Sequence, residues 1–166
     1  MTNTPQQTLR PPVNRIDRRC VWWWTLRALL LIGPVFIGLL IAYFWWEAAR
    51  PWLAIALVLT GLYLIINTLV APLWRYRVHR WESTADAVYS LTGWYVREWR
   101  VAPLSRVQTV DAVRGPIEQI LGLSTLRVTT ASSRGAITIN GLDKEVASEL
   151  AEQLNAIAQD IPGDAT

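Results

Sequence analysis

Two side chains with nucleophilic or general-base chemistry occur once each in this sequence, Cys20 and His79. A thiol activated by an imidazole is the minimum of a cysteine-dependent enzyme. It also needs an orienting partner for the base and donors for an oxyanion. No motif supplies either, so a membrane-bound thiol enzyme using Cys20 and His79 is the least favoured of three functional readings. Asp111 and Glu118 could be imagined as a carboxylate pair. Asp111 reads better as a hydrogen-bonding strand residue and Glu118 as a solvated helix position. One histidine, one cysteine and scattered carboxylates give no metal-ligand spacing, and no glycine-rich loop cradles a phosphate. The expectation is therefore no catalytic residue, no metal and no cofactor. A lone cysteine also excludes an internal disulfide framework.

The elements that must position any site begin with two uncharged runs, residues 28–46 and 51–74. A hydrocarbon core takes about 20 apolar helical residues to cross, and both runs qualify. Seven of the ten tryptophans lie at their ends: Trp22, Trp23, Trp24, Trp45, Trp46, Trp52 and Trp74. Indole buries its ring while keeping its N–H wet, so these are expected anchors at the headgroup boundary. Pro51 suits the first turn of the second helix, where a missing N–H costs nothing.

Arginine placement sets the expected topology. Arg10, Arg15, Arg18, Arg19 and Arg27 precede the first span, and Arg75, Arg77 and Arg80 follow the second. The connection holds Arg50, offset by Glu47. The positive-inside rule places both termini in the cytoplasm of a multi-pass inner-membrane protein. Arg18, Arg19, Arg75, Arg77 and Arg80 are then topology charges that also meet anionic lipid. The net charge of +3 belongs to these flanks. From Arg80 onward acidic residues outnumber basic ones, which argues against a nucleic-acid partner.

The expected division is a disordered basic tail over residues 1–20, a helical hairpin over 21–74 with spans of about 24–46 and 51–74, a cytoplasmic domain over 75–160, and a tail over 161–166. After the hairpin the texture becomes short alternating runs. "RYRVHRWEST", "AVYSL", "WYVREWRVAP", "SRVQTVDAV", "STLRVTTAS" and "AITIN" read as six strands. Thr92 and Gly93 are expected to form a tight hairpin, with a further turn over residues 133–135. In "GPIEQILGL" Pro116 opens a short helix and Gly122 closes it. Asp143 can cap a terminal helix whose apolar stripe is Val146, Leu150, Leu154, Ile157 and Ile161. The fold class is α+β: a two-helix transmembrane hairpin, then a small bent sheet or partly open barrel with a C-terminal amphipathic helix.

Pro103, Arg106, Val107 and Gln108, then Gly115, Leu121 and Gly122, then Leu126, Val128 and Thr130, stand in an order that resembles the bacterial pleckstrin-homology (PH) domain family. Two transmembrane helices before the domain are similar to its membrane-anchored form, and the resemblance covers residues 22–157. Ala102 departs from the larger aliphatic usual there. The resemblance implies a PH-like barrel and carries no established catalytic residue. Such members often occur beside a larger PH-like relative, so the implied partners are the lipid bilayer and another membrane protein. Arg106 and Arg114 are the candidate contacts for it. Eukaryotic PH domains bind phosphoinositides through a basic loop, but the equivalent loop here, "ESTADA", has two acids and no base. The leading functional reading is a non-enzymatic scaffold or regulatory subunit, with an anionic lipid-sensing domain as the alternative.

Overall fold

The structure is a computed structural model that describes residues 11–131 and 136–160. The expected turn over residues 133–135, the tail 161–166 and Ile161 lie outside the described residues. The fold is α+β, with two long apolar helices followed by antiparallel sheets and a C-terminal helix.

Helix α1 runs Arg19–Trp45. The Asp17 carboxylate accepts the Arg19 N–H at 2.7 Å and places negative charge at the helix start. Twenty-seven residues make a rod of about 40 Å, longer than the roughly 30 Å of hydrocarbon. The surplus lies at the start, where Cys20 and Trp24 are buried. Helix α2, Arg50–Ile65, has Pro51 in its first turn as expected, and continues through a π-helical turn, Ile66–Val70, into α3, Ala71–Val78.

Pro72 explains the π-helical turn. It has no N–H to give the Thr68 carbonyl one turn back, and its ring crowds that carbonyl. The helix widens there, and the Thr25 hydroxyl of α1 donates to Thr68 O at 3.0 Å. The hairpin is thus tied across at its base.

Helix α3 corrects the expected first strand, since Arg75 and Arg77 are helical. Extending an existing helix adds one hydrogen bond per residue, whereas a new strand needs a partner. The strand proper, β2, is Arg80–Ser83, followed by β3, Ala87–Gly93, and β4, Arg97–Pro103. Gly93 pairs with Arg97, so the turn is residues 94–96 rather than Thr92 and Gly93. A second sheet holds β5, Val107–Val113, β6, Leu123–Thr130, and β7, Ile137–Asp143, in that order. Helix α4, Pro116–Leu121, ends on Gly122 at φ 65°, and α5 is Lys144–Asp160.

The described part of the expected disordered tail is ordered. Asn14–Arg15 forms β1 and pairs with Trp81 and Arg80, which places it on the edge of the β1-β2-β3-β4 sheet. Both membrane helices are therefore inserted between two neighbouring strands of one sheet.

The main core joins Val88, Ala102 and Leu104 to Leu126, Val128 and Ile139 under α5. Leu150 and Leu154 of the expected α5 stripe are buried, but Ala147 and Ala151 complete the buried face in place of Val146 and Ile157, which are exposed. Asn155 completes the cover, giving Nδ2–H to Val110 O at 3.0 Å and accepting Val110 N–H at 3.2 Å. Helix α5 so occupies free backbone positions on the β5 edge.

Candidate functional site

The distinctive chemistry lies where the hairpin enters the sheets. Ile16, Cys20 and Trp24 pack on Leu123, with Trp81 in contact with this cluster and with the main core. Gly141 O accepts Asp17 N–H at 2.9 Å and the Cys20 thiol at 3.2 Å. Gly141 has φ +74°, and a Cβ there would stand 1.6 Å from Cys20 Sγ. Only glycine lets β7 approach α1 this closely.

Arg19 locks the contact. It donates through Nε and Nη2 to Asp17 at 3.1 and 3.0 Å, to Leu121 O at 3.1 Å, and to the Asp143 carboxylate. The Arg19 guanidinium, by hydrogen bonding, holds Asp17 below the usual carboxylate range. Asp143 is lowered first by the Glu145 N–H that it caps, then by Arg19. Arg19, expected to face lipid, thus joins α1 to the end of α4 at Leu121 and to the end of β7 at Asp143.

The reactive candidates have structural partners. Cys20 is fully buried with its hydrogen on Gly141 O. His79 gives Nδ1–H to Arg75 O at 2.8 Å and lies against Trp24, ring centroids 5.2 Å apart. Burial is the main cause that holds its imidazole below the usual value, so the ring is neutral at pH 7. Glu118, expected in solvent, is buried. It accepts Gly115 N–H at 2.7 Å and the Thr125 hydroxyl at 2.6 Å, so its carboxylate satisfies the backbone at the start of α4 and ties it to β6. Asp111 stays exposed on β5 opposite Arg127.

Of the expected anchors, Trp22, Trp45, Trp46, Trp52 and Trp74 are exposed, and Trp23 is half-buried. Trp24 departs from them: it is a core residue with Arg75 stacked 5.9 Å from its ring centroid. Arg18 and Arg77 are exposed, and Arg80 is half-buried on β2. Arg106 is exposed in the short turn Leu104–Arg106. Arg114 spends Nη2 on Lys144 O and Ser148 Oγ, at 3.3 and 3.4 Å, and so braces α5.

Above this junction a cavity of about 880 Å³ separates the helices from the open face of the sheets. Its helical wall includes Ala28, Leu31, Ile32 and Tyr63. The opposite wall is polar, with Ser90, Thr92, Thr138 and Asn140, and Arg27, Arg75 and Arg100 line it as well. The sequence marked Arg27 only as a topology charge and Arg100 only as a candidate surface contact, and nothing in it singled out Asn140. A lone arginine at the boundary of an apolar run was the available signal for Arg27.

The Bacterial PH domain family model matches residues 24–158, a range that takes in both apolar helices and all but the first of the described strands. The chain belongs to that family. A relative, the UPF0699 transmembrane protein YdbS of Bacillus subtilis (strain 168), is 27% identical over 153 residues, covering 89% of this chain and 94% of its own length. No solved structure matches. The chain is thus a membrane protein of the bacterial PH domain family, and its two candidate spans are the helices Arg19–Trp45 and Glu47–Val78. The β1 strand lies before the matched range, although it completes the first sheet.

Proposed function

We propose that this chain is a non-enzymatic scaffold or regulatory subunit at the cytoplasmic face of the inner membrane, where it assembles with another membrane protein such as a larger PH-like relative. The carrying observation is that the hairpin base and the sheets share one packed junction, held by the Cys20 thiol on Gly141 O and by Arg19 on Leu121 O and Asp143, while the His79 Nδ1–H and the Glu118 carboxylate are spent on local structural bonds. A barrel fixed to its anchor presents the same surface at a constant height and angle. That serves docking and does nothing for turnover. The arginine flanks support a cytoplasmic side for this surface.

Arg106 is the first contact to test, because it is exposed while Arg114 is committed to α5. The chain, purified from its own membranes at native level after crosslinking, is expected to carry one membrane protein in stoichiometric amount. Arg106→Glu should lower that recovery several-fold without changing the amount of chain. Recovery of the chain alone, with and without crosslinker, would speak against the scaffold reading.

A further inference from the structure

The junction cavity has two unlike walls and an uncancelled charge. Its helical wall belongs to residues that follow Arg27 in the first uncharged run and to Tyr63 in the second, so it lies where headgroups give way to hydrocarbon. The facing wall offers hydroxyl and amide groups from β3 and β7. Arg100 is neutralised by Glu98, at 2.7 Å, and donates to Ala136 O at 2.9 Å. Among the described residues, the Arg27 and Arg75 guanidinium groups have no hydrogen-bond or ion-pair partner; Arg75 only stacks over Trp24. Two positive charges at an apolar boundary call for an anion that brings apolar surface with it.

The rim supports the same occupant. Trp94 lines the cavity from the turn after β3, and the next two residues of that turn, Tyr95 and Val96, are 84% and 79% exposed. An aromatic tip beside the base of the spans suits the headgroup layer, where ring and polar edge are both satisfied. The volume lies within the roughly 300–1,000 Å³ typical of ligand pockets.

We propose that this cavity binds one anionic phospholipid, its phosphate held by Arg27 and Arg75 and its acyl chains laid on the Leu31, Ile32 and Tyr63 wall. His79 contributes a neutral edge: with Nδ1–H committed to Arg75 O, its Nε2 can accept from a headgroup hydroxyl. Thr92 and Asn140 offer further hydrogen bonds to such a hydroxyl. A glycerol-bearing headgroup satisfies both walls, whereas the cation of a choline headgroup would meet the arginines. This assignment stands apart from any protein partner, since the lipid lies between the chain's own anchor and barrel.

The test uses the delipidated full chain in detergent and native mass spectrometry. Phosphatidylglycerol is titrated against phosphatidylcholine of the same acyl chains, with glycerol 3-phosphate as the soluble anion. One phosphatidylglycerol should be retained at least about tenfold more strongly than phosphatidylcholine, because both offer the same phosphate to the arginines but choline sets a cation against them and lacks the hydroxyls. The double variant R27Q/R75Q should lose that preference. So should Ala28→Phe, which fills the apolar half and keeps both charges, whereas Arg127→Gln, an exposed charge of β6 outside the cavity, should retain it. Equal retention of the two lipids, an equal loss in Arg127→Gln, or displacement of the lipid by equimolar glycerol 3-phosphate would each overturn the proposal.

Discussion

At the scale of single residues, the junction depends on atoms whose roles are set by what lies far away in sequence. Gly141 has a backbone conformation at φ +74° that side chains with a Cβ resist, and its missing Cβ leaves room for Cys20 Sγ. The left-handed conformation alone costs a residue with a Cβ about 1–2 kcal/mol, and the overlap with sulfur adds to it. Gly141→Ala should therefore lower the apparent melting midpoint of the detergent-solubilised chain by at least about 4 °C. Adding Cys20→Ala should recover part of that loss, because the 1.6 Å contact goes while the strained φ remains. A Gly141→Ala midpoint within a degree of the parent would show that β7 and α1 are not held together here. Gly122 was legible as a helix stop because its signal is local. Gly141 was not, since nothing near it in the sequence marks the approach of α1. Glu118 was misplaced for the same reason: a glutamate in a short helix reads as solvated until Thr125 folds over it.

At the scale of elements, strongly periodic segments were read correctly and those decided by a remote partner were not. The two spans, the Pro116–Leu121 helix and the terminal helix follow from apolar length, caps and helical spacing. "RYRVHRW" alternates like a strand, yet its first half continues the second membrane helix through the widened turn before Pro72. β1 is two residues long and has no pattern of its own; its pairing with β2 makes it a strand. The tie across the hairpin can be tested by itself. Thr25→Val removes the hydroxyl that serves the Thr68 carbonyl next to Pro72, in a half-buried place with little water to replace it. The expected cost is about 1–2 kcal/mol, read as a lower apparent midpoint, with Thr25→Ser close to the parent. Equal midpoints for Val and Ser at this position would mean that the bond contributes nothing to hairpin closure.

At the scale of the whole molecule, the anchor and the barrel share a core, so dividing the chain at residue 75 divides that core. A fragment of residues 75–160 would lose Ile16, Cys20 and Trp24 from their places against Leu123 and Trp81. Burial of a large apolar side chain contributes about 1.5–3 kcal/mol, so losing this cluster removes roughly 5 kcal/mol. Small domains have only about 5–15 kcal/mol of net stability, and this one would also lose the Arg19 bonds and its β1 edge. The fragment should accordingly give broad, poorly dispersed amide NMR signals and a tendency to aggregate. The remedy follows from the geometry: the Thr25 hydroxyl lies 3.0 Å from Thr68 O, so a few glycine and serine residues can join residue 25 to residue 68 in place of the membrane hairpin. That 11–25–linker–68–160 chain keeps β1, Arg19, Cys20, Trp24 and α3, and should fold with dispersed signals where 75–160 does not. If 75–160 folds equally well alone, the junction is a contact between two independent units, and a barrel held at fixed height over the membrane loses its physical basis.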